Sequence, residues 1–111
     1  MLYGKITLRM AGIPIAGIVT TFITQSQQKD QINFEIVGVN ASQAMTNVYY
    51  KGIQEFGVHN SSEFVPNIGL ANTYTIDWKS NTIQWSINDV VVRTLNRETS
   101  TSPLVCPCTL E

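Results

Sequence analysis

The sequence predicts an all-β fold, a sandwich or jelly roll of short antiparallel strands. Three observations carry this. Apolar and polar residues alternate with a period of two in several segments, polar or Gly- and Pro-bearing turns separate those segments, and no stretch shows helical periodicity. A chain of 111 residues holds one domain. About seven strands fit, and with no helix between them a parallel α/β sheet is excluded.

The elements follow in order. Ile6, Leu8 and Met10 alternate with Lys5, Thr7 and Arg9, which predicts the first strand, and Gly12 and Pro14 close it. Residues 15–23 are rich in Ile, Val and Thr, with Gly17 inside, and read as a largely buried strand. Residues 25–29 form a polar turn, 30–37 alternate again, 38–44 are a loop and 45–50 a further strand. From 52 to 72 the pattern weakens, and Gly57, Pro66 and Gly69 predict a long loop. Residues 73–78 and 82–87 predict a hairpin turning through Lys79, Ser80 and Asn81, and Asn88-Asp89 a second tight turn into a strand over 90–94. Residues 98–111 show no periodicity and read as a tail.

Composition removes several functions. Seven Lys and Arg against eight Asp and Glu give a net charge of -1, with no basic excess to neutralise phosphates, so nucleic acid is not expected as a partner. No apolar run reaches roughly 18 residues, so no membrane span is expected. Cys106 and Cys108 stand one residue apart, and His59 is distant in sequence, which falls short of the usual four zinc ligands. No metal and no cofactor are expected. Lys5 and Arg9 interrupt the apolar start and no small-residue cleavage pattern follows, so residues 1–20 do not read as a signal peptide. Asn40-Ala41-Ser42 and Asn60-Ser61-Ser62 are acceptor triplets for N-glycosylation, which matter only in a secreted protein.

The segment that can carry chemistry is Gln31-Ile32-Asn33-Phe34-Glu35-Ile36. In a strand, residues i, i+2 and i+4 share a face. Gln31, Asn33 and Glu35 therefore share one side, lining either solvent or a cleft, and Ile32, Phe34 and Ile36 belong to the core.

This stretch resembles the active-site strand of glycoside hydrolase family 16, whose motif runs Glu-Ile-Asp-x-Glu or Glu-Ile-Asp-x-x-Glu. Asp30-Gln31-Ile32-Asn33-Phe34-Glu35-Ile36-Val37-Gly38 stands in its place. Tyr3-Gly4-Lys5 with the strand to Met10 resembles the family's entry strand. Gly17-Ile18-Val19-Thr20-Thr21-Phe22 with Gln25-Ser26 resembles the strand before the catalytic one. Thr46-Asn47 and Lys51-Gly52 match the segment after it, and Thr73-Tyr74-Thr75-Ile76-Asp77-Trp78, Ile83, Trp85 and Val92-Arg93 match the downstream hairpin. The likeness spans residues 2 to about 95 and is greatest to the fungal cell-wall branch, the Crh-type transglycosylases.

The resemblance implies a concanavalin-like antiparallel jelly roll with a cleft on its concave sheet, and a retaining double displacement on β-linked polysaccharide. That mechanism sets two carboxyl groups about 5–5.5 Å apart. Alpha-carbons at i and i+4 of a strand lie about 13 Å apart, so only long side chains leaning together close the gap. By resemblance Gln31 occupies the nucleophile slot, Asn33 the supporting slot and Glu35 the acid/base slot. A neutral amide has no anionic oxygen and is a very poor nucleophile, so turnover is expected to be impaired. Asn47, Tyr49, Lys51, Tyr74, Trp78 and Trp85 are the substrate-binding candidates, with Tyr50 a further aromatic. Other departures are Asn72 for a usual His, Met45 for a Gln, Ser86 for an aromatic, and Asn88-Asp89 for an Asp-Gly turn.

The family pattern ends near Leu95, and a family domain needs roughly twice this length. The expectation is a partial domain over 1–97, incomplete at the C-terminal side, with 98–111 outside the resemblance. The implied partner is a β-linked polysaccharide or oligosaccharide and the implied location the cell wall or extracellular space. Two further readings stay open: a non-catalytic module binding β-glucan or chitin oligosaccharide, and a non-functional truncated product.

Overall fold

The computed structural model describes residues 3–49, 52 and 60–96. Among them are eight strands and no helix: β1 (Gly4–Met10), β2 (Val19–Gln25), β3 (Gln31–Val37), β4 (Gln43–Tyr49), β5 (Asn60–Phe64), β6 (Asn72–Trp78), β7 (Thr82–Ile87) and β8 (Val90–Asn96). They form two antiparallel four-stranded sheets, ordered β1-β6-β7-β8 and β2-β3-β4-β5. Among the described residues no helix is long and apolar enough to cross a membrane. The all-β sandwich and its antiparallel strands are as the sequence predicts. Tyr50, Lys51, His59, Cys106, Cys108 and residues 98–111 lie outside the described residues.

Alternation builds the core. Ile32, Phe34 and Ile36 of β3 face Tyr74, Ile76 and Trp78 of β6 and Ile83, Trp85 and Ile87 of β7, all buried. Phe34 is the centre of this layer. Its ring stacks on Phe22 with centroids 6.3 Å apart and meets Tyr74 edge-on at 5.2 Å. Burying each such side chain contributes about 1.5–3 kcal/mol, far more than the alternation of polar partners on the outer faces.

The turn before β3 sets its register. The Ser26 hydroxyl donates to Asp30 Oδ2 at 3.1 Å and accepts from the Gln28 and Asp30 amides, while Lys29 adopts φ 67°. That closure places Gln25 opposite Gln31. Asn88 and Asp89 both adopt positive φ, at 51° and 66°, which is the turn their position between β7 and β8 demands.

Two predicted boundaries need correction. The strand expected over 15–23 begins only at Val19. Pro14 offers no N–H, the Ile18 amide bonds back to the Ile15 carbonyl at 3.1 Å, and Gly17 sits at φ 90°, so the chain turns here instead of extending. Ile13, Ile15 and Ile18 are consequently exposed. The long loop expected over 52–72 contains β5, which pairs with β4 in the register Thr46↔Ser61. Its sequence, Asn-Ser-Ser-Glu-Phe, lacks the apolar alternation that marks a strand; the β4 edge supplies the hydrogen bonds that hold it.

The turn over 13–18 also crosses the end of β3. Gly38 donates its amide to the Ile18 carbonyl at 2.8 Å and is buried beneath the Ile13 and Ile15 carbonyls. A methyl group there would collide with backbone that cannot swing aside. Gly38→Ala should therefore lower stability by about 1–3 kcal/mol, read as a lower midpoint in urea unfolding.

Candidate functional site

The outer face of the β2-β3-β4-β5 sheet carries the candidate residues of β3 and β4. Pairing places Thr21, Ile23 and Gln25 of β2 beside Glu35, Asn33 and Gln31 of β3, and these beside Met45, Asn47 and Tyr49 of β4. Gln31 and Glu35 are half-buried, and Asn33 between them is fully buried at 0% exposure. The sheet thus brings Gln31, Asn33, Glu35, Asn47 and Tyr49 together.

The polar contacts on this face run in one direction. Asn47 Nδ2 donates to Asn33 Oδ1 at 2.8 Å. With its oxygen taken, Asn33 turns its Nδ2 to Glu35 Oε1 at 3.3 Å. Gln31 Nε2 donates sideways to Gln25 Oε1 at 3.2 Å, an exposed contact at the end of the row. Burial raises the Tyr49 phenol above its ordinary value, and the negative charge of Glu35 raises it further. Among the described residues of this face, Glu35 is the one carboxylate. The row therefore presents one carboxyl group, at Glu35, backed by two buried amides, Asn33 and Asn47, and beside them a neutral amide at Gln31.

Three substrate-binding candidates are corrected. Tyr74, Trp78 and Trp85 are at most 1% exposed and fill the inter-sheet core, where they pack against the back of the site strand and cannot stack on a sugar ring. The reason is register: β6 and β7 pair so that these residues share the inward face with Ile76 and Ile83. Tyr74 meets Phe34, burial pushes its phenol up, and Trp78 meets Tyr3 edge-on at 4.9 Å. Lys51 and Tyr50 lie outside the described residues.

The sequence missed a second polar group, behind the site. Arg93 of β8 reaches across the sandwich, its Nη1 donating to Thr46 O and Thr46 Oγ1, each at 2.9 Å. Its guanidinium lies 4.8 Å from the Trp85 ring centroid. Burial lowers its proton affinity, and the charge of Glu63 opposes that. Trp85 Nε1 donates to Asn33 O at 3.1 Å. An Arg directly after the apolar run Val90-Val91-Val92 was the available signal.

The protein-family model for glycosyl hydrolases family 16 matches residues 1–109. The chain belongs to glycosyl hydrolase family 16. The match runs past Leu95, where the sequence reading placed the end of the pattern. Among its family 16 relatives, Crh-like protein 2 of Aspergillus fumigatus is 39% identical over 101 residues, covering 88% of this chain and 23% of that protein. Crh-like protein 4 of Botryotinia fuckeliana is 36% identical over 103 residues, covering 90% and 27%. A solved structure of the Crh5 transglycosylase in complex with NAG superposes with a TM-score of 0.89 at 29% identity, covering 98% of this chain and 46% of that one. The chain thus spans about a quarter of the length of these curated relatives.

The electrostatic coupling on this face has a measurable consequence. Glu35→Gln removes the like charge but leaves the burial, so the Tyr49 phenol should titrate lower than in the native chain and still above the ordinary tyrosine value. Following the Tyr49 ring carbon by NMR through the alkaline range checks both bounds. A second expectation concerns the buried amide: Asn47→Ala leaves Asn33 Oδ1 without this donor and should cost about 1–3 kcal/mol in urea unfolding.

Proposed function

We propose that this chain engages a β-linked cell-wall polysaccharide, β-glucan or chitin, along the outer face of the β2-β3-β4-β5 sheet, and that it does not form a glycosyl-enzyme. Cell-wall location is part of the same reading and rests on the Crh-like relatives. The observation that carries it is the row Gln31, Asn33, Glu35 on one sheet face, joined by the Asn47–Asn33–Glu35 hydrogen bonds; the slots are those that the family resemblance implies.

The retaining route begins with attack of an anionic oxygen on the anomeric carbon while the opposing acid protonates the departing oxygen. Glu35 supplies a carboxyl group in the acid slot. Gln31 occupies the attacking slot with a neutral amide, whose lone pair is delocalised over the C–N bond, and no second carboxylate stands on this face among the described residues. Both amides are near-isosteric with the acids they replace, so the shape that receives a sugar chain is kept while the first chemical step is lost. Binding without turnover is what such a surface supports.

The test uses residues 1–111 with chitotetraose and laminaritetraose as probes. The native chain should shift the side-chain amide resonances of Gln31, Asn33 and Asn47 on titration with one of them, and give product at the rate of a blank. Gln31→Glu with Asn33→Asp should give measurable hydrolysis or transfer, and Glu35→Gln added to that pair should remove it. Turnover by the native chain that vanishes with Glu35→Gln overturns the reading of the amides. No shift with either probe overturns the binding.

A further inference from the structure

Behind the outer-face amides, two hydrogen bonds pass through the core. Trp85 Nε1 holds the carbonyl of Asn33, and Arg93 Nη1 holds the carbonyl of Thr46, which is the peptide group leading into Asn47. Asn33 and Asn47 stand opposite each other in the β3–β4 register, and they are the two residues whose side chains bond at 2.8 Å on the far face. Trp85 and Arg93 are likewise opposite each other in the β7–β8 register. One cross-strand pair in the rear sheet thus grips the two backbones that carry a cross-strand pair in the front sheet.

A β-bulge makes this possible. The β7–β8 register shifts between Trp85 and Ser86: Ser86 pairs with Val91, yet Trp85 pairs with Arg93. Without the extra residue, Val92 would face Trp85 and Arg93 would point to the outer surface beside Gln84. The bulge turns Arg93 inward, an arrangement that re-aims one side chain at the cost of a local break in the ladder. Placing a guanidinium between two sheets is expensive unless its donors are used. Here Nη1 bonds both oxygens of Thr46, the ring of Trp85 lies beneath the cation, and Thr46 Oγ1 in turn contacts Glu63 Oε1 at 3.4 Å.

We infer that Trp85 and Arg93 are positioning residues: together they fix the Asn33 and Asn47 peptide planes, and through them the direction in which the Asn33 amide meets Glu35. The inference deepens the proposed function by naming what sets the geometry of that face. A hydrogen bond is directional, so freeing either carbonyl lets its strand tilt, and the 3.3 Å contact from Asn33 to Glu35 is the first to lengthen.

The experiment compares four variants of the full chain by side-chain amide NMR, thermal unfolding and chitotetraose titration. Trp85→Phe keeps an aromatic ring and removes the N–H; Arg93→Met removes the cation and both bonds to Thr46; Arg93→Lys keeps a charge and replaces the guanidinium by an ammonium donor. Ile83→Val is the control, a core truncation one turn of the pleat from Trp85. Trp85→Phe and Arg93→Met should displace the Asn33 and Asn47 amide resonances and weaken chitotetraose binding about three- to tenfold, as expected for one lost bond. Arg93→Lys should recover part of both, and Ile83→Val should lower the unfolding temperature while leaving those resonances in place. Either of the first two variants suffices if the other unfolds. The inference is overturned if they move the Asn33 and Asn47 amides no more than Ile83→Val does. Displaced amides in the variants, together with no binding of chitotetraose or laminaritetraose by the native chain, would leave the positioning role standing and remove the proposed function.

Discussion

Asn33 is fully buried although its side chain points away from the inter-sheet core. A primary amide in that position must satisfy its oxygen and its nitrogen or lose about 1–3 kcal/mol for each group left bare. The sandwich meets this demand from one front neighbour on each side, Asn47 to the oxygen and Glu35 to the nitrogen, while Trp85 takes the backbone carbonyl from behind. Each of those partners is placed by a different element. Asn47 needs the β3–β4 register, Glu35 needs unbroken alternation along β3, and Trp85 needs the second sheet to lie at bonding distance. A one-residue slip of β3 would invert its faces and bring Phe34 into water. The register, the sheet-to-sheet packing and the site are therefore one constraint expressed three times.

The strands with strong alternation were legible in the sequence because burial on one face and water on the other imposes a period of two. β1, β3, β6 and β7 have this pattern, and the face of Gln31, Asn33 and Glu35 followed from it. β5 was not legible because Asn60–Phe64 is polar and takes its stability from pairing with β4, an interaction remote in sequence. The start of β2 was misplaced for the opposite reason: Ile15 and Ile18 look like core and end up exposed on a turn set by Pro14 and Gly17. Composition reports the hydrophobic effect; it does not report the turn that withdraws those residues from the core.

The aromatic residues show the same limit at the level of function. A tyrosine or tryptophan in a sugar-binding fold reads as a stacking platform, and Tyr74, Trp78 and Trp85 carry that expectation equally well on paper. Only the β6–β7 pairing decides that all three face inward. Arg93 is the converse. Periodicity counted from Val90 assigns it to the outer surface, and the bulge opposite Trp85 reverses that assignment. Bulges leave almost no trace in a single sequence, since an inserted residue changes phase and not composition.

The amides at 31 and 33 also change what the fold must bear. With acids at both positions, one strand face would hold three carboxyl groups in alternation, the middle one fully buried. Ionising that middle group would oppose a like charge at Glu35 across the contact that Asn33 now fills as a donor, so the hydrogen bond would become a repulsion unless a proton were shared. An enzyme accepts that tension because the developing positive charge of the sugar relieves it in the transition state. A face with Gln31 and Asn33 has no such tension to relieve: every contact in the Asn47–Asn33–Glu35 chain is a donor meeting an acceptor in the ground state. At these two side chains the amides put donor–acceptor contacts where paired acids would repel, and they leave Glu35 as the one carboxylate of this face among the described residues.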